Sequence, residues 1–195
     1  MADAILLVGG PGSTKGTQGS ALQMYLNADP NTPSTHVVMG DVFRTIAADN
    51  DEYGKYIHSF TSQGRLVPDK EMLPCLGKAL LRIPEDHTLI LDGTCRSLEQ
   101  TRVQVREILP PRVKNIMTLI LDCSDDVMRG RLRKRGRDDD KLDEAIEARI
   151  DAYRQSELAV ANFLSQMTEF RRVKADGSAV EIGIQILRHV NTTLA

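Results

Sequence analysis

Aromatic side chains make up only 4% of this 195-residue chain and tryptophan is absent. The core must therefore be assembled from Leu, Ile and Val, which suits a parallel sheet covered by helices. Cysteine is sparse as well: Cys75, Cys95 and Cys123 stand far apart, in a spacing that matches neither a disulfide framework nor a zinc site. A reducing compartment is the plain expectation. Charge of one sign is not in excess, because the formal net charge is -2, so no global positive field points to nucleic acid or an anionic membrane surface. No apolar run is long enough to cross a bilayer, and the opening Met1-Ala2-Asp3-Ala4 carries no basic signal-peptide region. These absences predict a cytoplasmic protein; a monomer is expected as well. Its 195 residues, 41% of them hydrophobic, are enough for one compact domain over 1–195.

Against these absences stands a repeating alternation. Short apolar runs occur at Ala4–Val8, His36–Met39, Thr88–Leu91, Ile116–Leu121 and, more weakly, Phe170–Val173. Runs without polar alternation suit strands buried on both faces of a parallel sheet. Helices are predicted between them: Lys15 to about Leu26, Val42–Gly64, Lys70–Leu81, Leu98–Leu109, a stretch after Ser124, and Asp143–Met167 with Ile146, Ile150, Tyr153, Val160 and Leu164 on one stripe. Ser178-Ala179-Val180-Glu181 is a capping-box sequence opening a last helix. No internal repeat or low-complexity linker interrupts the pattern. It predicts an α/β doubly wound fold, in which ligands sit beyond the carboxyl ends of the strands.

The most informative stretch follows the first run. Val8 to Gln18 reads V-G-G-P-G-S-T-K-G-T-Q. In such a turn successive backbone N–H groups converge on an anion, the next helix adds its positive dipole end, and the lysine supplies a full charge. An ordinary strand–turn–helix connection would also use glycines, but Lys15 at this spacing and Pro11 stiffening the loop favour a phosphate site. One residue departs from the usual spacing: Thr14 stands where a glycine normally precedes the lysine. If that position needs a left-handed backbone, a β-branched residue there costs on the order of 1–3 kcal/mol.

Other charged residues follow the later strands. After Met39-Gly40, Asp41 can cap a helix and Arg44 lies one turn inside it, where a guanidinium can grip a phosphate or simply be solvated. Asp92 ends the third run, placed to hold Mg²⁺ through water or to serve only as a cap. Arg96 follows a strand end in the same way. Gln100 offers a paired donor and acceptor suited to a base edge, unless it is a surface residue. The fourth run leads to Arg129, then Arg131, Arg133, Lys134, Arg135 and Arg137 ahead of Asp138–Asp140. In isolation that run reads as a solvated helix face paired with the aspartates. Beside a phosphate loop it can neutralise a transferred phosphoryl group.

Taken together, G-G-P-G-S-x-K-G-T-Q, G-D-x-x-R at 40–44, G-R-L-V-P at 64–68, D-G-x-x-R-x-x-x-Q at 92–100 and R-G-R-x-D-D at 135–140 resemble the adenylate kinase family, in that family's order over nearly the whole chain. The resemblance implies a P-loop NTPase-like three-layer fold, its mostly five-stranded parallel sheet flanked by helices, and Mg²⁺-dependent reversible transfer from ATP to AMP giving two ADP. It implies that Gly12, Ser13, Thr14, Lys15, Gly16 and Thr17 cradle ATP phosphates, with Arg131, Arg135 and Gly177 also on the ATP side. Met39, Gly40, Arg44, Arg65, Leu66, Val67, Gly93, Arg96, Gln100, Arg137 and Arg149 would meet AMP. Lys15, Arg96, Arg131, Arg137 and Arg149 would act on the moving phosphoryl, and Asp92 on Mg²⁺ through water. About 38–67 would be an AMP-binding subdomain and about 134–140 a short lid.

Beyond Thr14, two positions depart from the family pattern: Met39 replaces a threonine, and Thr94-Cys95 replaces an aromatic-proline pair. They keep a weakly active nucleotide-binding relative open, with a UMP/CMP kinase as a further alternative and an RNA-binding role for 129–137 as a remote one. His36, His58, His87 and His189 show no pairing that suggests metal or acid–base work and are expected to be structural or on the surface. Tyr53, Tyr56, Tyr153 and Phe163 are expected in packing, and Glu157 as a partner for a basic residue.

Overall fold

The computed structural model describes residues 2–49, 51–63, 65–136, 140 and 142–193. Five strands form one parallel sheet: β1 (Ala2–Val8), β2 (Ser34–Val38), β3 (Thr88–Asp92), β4 (Val113–Asp122) and β5 (Glu169–Lys174), in the order β2-β3-β1-β4-β5. Each coincides with one of the apolar runs. β1 is central, with Leu6 registered against Leu91 on one side and Thr118 on the other. Its side chains alternate between two apolar layers. Ala4, Leu6 and Val8 join one core cluster, and Ile5 and Leu7 join the other. That alternation explains why the run carries no polar residue: both faces of the strand are covered.

The helices are α1 (Lys15–Leu26), α2 (Met39–Ala48), α3 (Glu52–Thr61), α4 (Asp69–Leu80), α5 (Leu98–Val103), α6 (Asp125–Arg135), α7 (Asp143–Met167) and α8 (Ala179–Thr193). α1, α6 and α8 supply Leu22, Met128, Leu132, Ile182, Ile186 and Val190 to one layer. α2, α3 and α4 supply Met39, Phe43, Ile57, Met72 and Leu76 to the other. α7 serves both, with Ile146 and Ile150 in the first layer and Val160, Ala161 and Leu164 in the second. The result is the three-layer arrangement expected.

Three boundaries differ from the sequence expectation. The single helix expected over 42–64 is two, because Asp51 caps α3 by accepting from the Gly54 N–H at 2.6 Å. A Cβ at Gly54 would stand 2.6 Å from the Ile46 carbonyl, so the missing side chain is what lets α3 fold back on α2. Met39 does not end β2; it begins α2. The helix expected over 98–109 is α-helical only to Val103 and continues as a π turn over Gln104–Ile108. Gly64 and Arg137 lie outside the described residues. Among those described, no helix is long and apolar enough to cross a membrane.

Candidate active site

Described residues of every motif named above line one cleft of about 1700 Å³, which opens beyond Val8, Val38 and Asp92 at the carboxyl ends of β1, β2 and β3. That exceeds the ~300–1,000 Å³ of a site for one drug-sized ligand. One wall is the loop from Gly9 to Thr17. Gly12 has φ +78, and a Cβ there would lie 2.9 Å from the Met128 carbonyl, so the turn and the close approach of α6 both require glycine. Thr14 has φ +70 and is the only non-glycine residue with positive φ among those described. Its hydroxyl is buried with no hydrogen-bond partner. The left-handed conformation on which a penalty depends is therefore the one adopted.

Lys15 follows, at the first position of α1. Its ammonium donates to the Gly9 carbonyl at 2.7 Å, the Gly10 carbonyl at 2.8 Å and the Ser13 hydroxyl at 3.3 Å. Burial pushes its pKa down to about 8; Asp92 opposes the drop, while Arg96, Arg149 and Arg135 add to it. Three guanidiniums from separate segments thus reach one ammonium through the field. The free protein holds this proton less tightly than the unfolded chain, so between pH about 8 and 10.5 its stability rises with pH. An anion in the loop reverses that bias. Binding of ATP at about pH 8.5 should take up a large fraction of one proton, falling towards zero near pH 6. Calorimetry in buffers of different ionisation enthalpy measures it; equal uptake in Lys15→Met would exclude Lys15 as the source.

Asp92 ends β3 almost fully buried, with Oδ2 facing Gly16 at 3.6 Å from where a Cβ would stand. Among the described residues no three His, Cys, Asp or Glu side chains cluster as a metal cage. A single carboxylate beside a phosphate loop nevertheless fits Mg²⁺, which keeps most of its waters and takes the remaining ligands from phosphates.

The arginines differ in what holds them. Arg131 donates to the carbonyls of Ala175 (2.7 Å), Asp176 (3.3 Å) and Gly177 (2.6 Å), and to that of Gly12 at 3.4 Å, stitching the loop before α8 to the phosphate loop. Arg131 also lines the cleft, held there by these backbone oxygens. Arg135 makes a two-pronged contact with Asp140 at 2.7 and 2.8 Å, and Arg149 reaches the same carboxylate at 2.7 Å. The Asp140 side chain is wholly buried. Burial alone would raise its pKa, but Arg135 and Arg149 reverse that and hold it below the usual carboxylate range. Arg44 pairs with Asp41 and is half exposed on the cleft wall. Arg65 lies 5.2 Å over the Phe60 ring.

On the same side, Met39 is buried in the core, Gly40 and Leu66 line the cleft with Val67, and Gly93 has φ +75 with Arg96 packed beside it. Gln100 is buried and reaches the cleft, its Oε1 accepting from the Arg96 N–H at 3.2 Å and its Nε2 donating to Asp69 at 2.8 Å. Cys95, in the position expected of a proline, donates to Gln104 Oε1 at 3.7 Å, and burial raises its thiol to about 11. It is therefore protonated at neutral pH. Gly177 lines the cleft, and the capping box follows it as expected, with Ser178 N–H donating to Glu181 at 2.8 Å.

Three side chains not expected at the site line the cleft, His36, His58 and Tyr153. The His36 imidazole fills the space left by Gly19, and its Nε2 is buried without a partner. Burial lowers its pKa against the opposing pull of Asp92 and Asp41. A histidine in the middle of an apolar run carries no local signal for this; only the pairing of β2 with β3 brings it near Asp92. Tyr153 packs against Gly10 as well as serving the α7 stripe. Glu157 takes the expected partner, Arg154, at 2.5 Å.

Comparison with known proteins agrees with this arrangement. A family-wide sequence model described as "Adenylate kinase" matches residues 7–169. Adenylate kinase isoenzyme 1 of Rattus norvegicus is 30% identical, over 98% of this chain and 95% of its own length. The Homo sapiens isoenzyme 1 is 29% identical, over 96% and 93%. The probable UMP-CMP kinase 1 of Arabidopsis thaliana is also 29% identical, over 91% and 83%. With the match running from within β1 to the start of β5, this chain belongs to the adenylate kinase family.

Proposed function

We propose that this nucleoside monophosphate kinase transfers the terminal phosphoryl of ATP reversibly to AMP, giving two ADP. The observation that carries the reading is geometric: the loop lysine, Lys15, lines one cleft with Arg96, Arg135 and Arg149, and that cleft is roomy enough for two nucleotides. An oxygen of the AMP phosphate forms the new bond to the terminal phosphorus as the bond to the bridging oxygen breaks, and no proton need move. Such a reaction asks for alignment and positive charge, not for an acid or base. Gly12 to Thr17 would hold the ATP phosphates with Arg135, while Arg131 would set the Gly177 loop for the adenine. Arg44, Arg96, Arg137 and Arg149 would hold the AMP phosphate and the moving group, with Arg65 to Val67, Gly93 and Gln100 at its base. Asp92 would hold Mg²⁺ through water, the ion neutralising phosphate charge when bound. Residues 38–67 would move as the AMP-binding segment and 134–140 as a short lid that excludes water.

The test is ADP formation from ATP with AMP, CMP, UMP or GMP. A kcat/KM for AMP far above the others supports the proposal. Comparable use of CMP and UMP would replace it with a UMP-CMP kinase, the activity printed in the name of the Arabidopsis relative. Tight ATP binding without ADP formation would leave a nucleotide-binding relative, a reading that the strained Thr14 favours.

A further inference from the structure

Asp69 stands at the first position of α4, behind Gln100 and outside the cleft lining. Its carboxylate accepts from Gln100 Nε2 at 2.8 Å through one oxygen and from the Ser97 hydroxyl at 2.9 Å through the other. The opposite atom of the amide, Oε1, accepts from the backbone N–H of Arg96 at 3.2 Å. The two anchors are of opposite kind. A carboxylate only accepts and a backbone N–H only donates, so the amide can sit in one sense only: nitrogen towards Asp69, oxygen towards Arg96. Turning it over would set oxygen against carboxylate and N–H against N–H. Gln100 is nearly inaccessible to solvent, so water could not relieve the mismatch.

An amide carries two donors and two acceptor lone pairs. With one of each spent on the anchors, one acceptor and one donor remain, in fixed positions. That edge complements a base presenting an amino group beside an unprotonated ring nitrogen. An oxo base, which presents an acceptor beside a ring N–H, meets the same edge in reverse order. We propose that Asp69 is a positioning residue for base choice: by holding the Gln100 amide in one sense it makes the monophosphate site select amino-bearing over oxo-bearing bases. This rests on the proposed function, in which Gln100 meets the acceptor base, and it deepens that reading by assigning selectivity to a residue 31 positions away in the chain.

The discriminating pair is AMP and IMP, which share a purine and differ at the 6-position. Asp69→Asn keeps the shape and an acceptor for Ser97 but adds an NH₂ able to donate to a turned-over amide. Asp69→Ala removes the anchor and suits the first turn of a helix. In the 195-residue protein, kcat/KM for AMP over that for IMP should be about 10³ or more, in keeping with sites built around a hydrogen bond. Both variants should narrow the ratio at least about tenfold, through opposite changes in the two KM values, while KM for ATP is unchanged. Equilibrium binding of AMP and IMP to each variant should narrow in parallel. A merely structural role would weaken both monophosphates together and leave the ratio within about twofold of wild type; that outcome, with wild type active on AMP, overturns this inference alone. Wild type inactive on AMP overturns it together with the proposed function.

Discussion

Lys15→Ala should lower ADP formation by about 10²–10³-fold while the protein stays folded. The magnitude follows from what is removed. A full charge directed at the transferred group's oxygens, in a partly water-excluded site, contributes roughly 3–4 kcal/mol to the transition state, as do preorganised donors elsewhere. The fold should survive because the side chain fills no core position: its contacts are the carbonyls of Gly9 and Gly10 and the Ser13 hydroxyl. Gly9 and Lys15 line the open cleft, so water can take the place of the ammonium. Initial rates with ATP and AMP, beside a melting curve of each protein, separate the two effects. A variant that keeps more than about a tenth of the rate would remove Lys15 from the chemistry. One that melts far below wild type would show that its bonds to the loop carbonyls are structural. Arg96, Arg135 and Arg149 should not compensate, since their field already acts on the same place and the loop retains no mobile cation of its own.

How far these features were legible in the chain depended on whether their cause was local. β1 and β3 were plain because buried parallel strands have no polar face, and α7 was plain because apolar residues recur at helical spacing from Ile146 to Leu164. The break between α2 and α3 was missed because apolar spacing continues across it. Asp51 and Gly54 held the signal, an N-cap followed by a residue without a Cβ where the helices touch. The phosphate loop was legible, including the left-handed demand at Thr14, because its geometry lies within a few successive residues. Arg131 was harder. Its place in a basic run suggested the nearby aspartates as partners, whereas its partners are carbonyls 44 to 46 residues later. His36, and the anchoring of Gln100 by Asp69, were not legible at all. Each depends on strands and helices that only the fold brings together.

Thr14→Gly should both stabilise the protein and speed it up. Holding a β-branched residue in the left-handed region costs on the order of 1–2 kcal/mol, and a buried hydroxyl without a partner adds roughly 1–3 kcal/mol. Against these, glycine gives the unfolded chain extra freedom of about 0.4–1 kcal/mol. The sum favours glycine by about 2 kcal/mol, which for a chain of this size raises Tm by roughly 4–8 °C. The catalytic part has a separate cause. An anion in the loop needs neighbouring amides to converge closely, and a Cβ immediately before Lys15 narrows that concavity where none is usual. If the strain at Thr14 is greater by about 2 kcal/mol around bound phosphate than in the unliganded loop, kcat/KM for ATP rises about thirtyfold. The two readouts can part company, and each has its own meaning. A higher Tm with an unchanged rate would mean that the loop carries the same strain with and without bound phosphate, so that it cancels in the rate. A lower rate would mean that the Thr14 hydroxyl, unpartnered in the free protein, finds its partner on the nucleotide, and that the chain keeps threonine for that bond at the expense of a relaxed backbone.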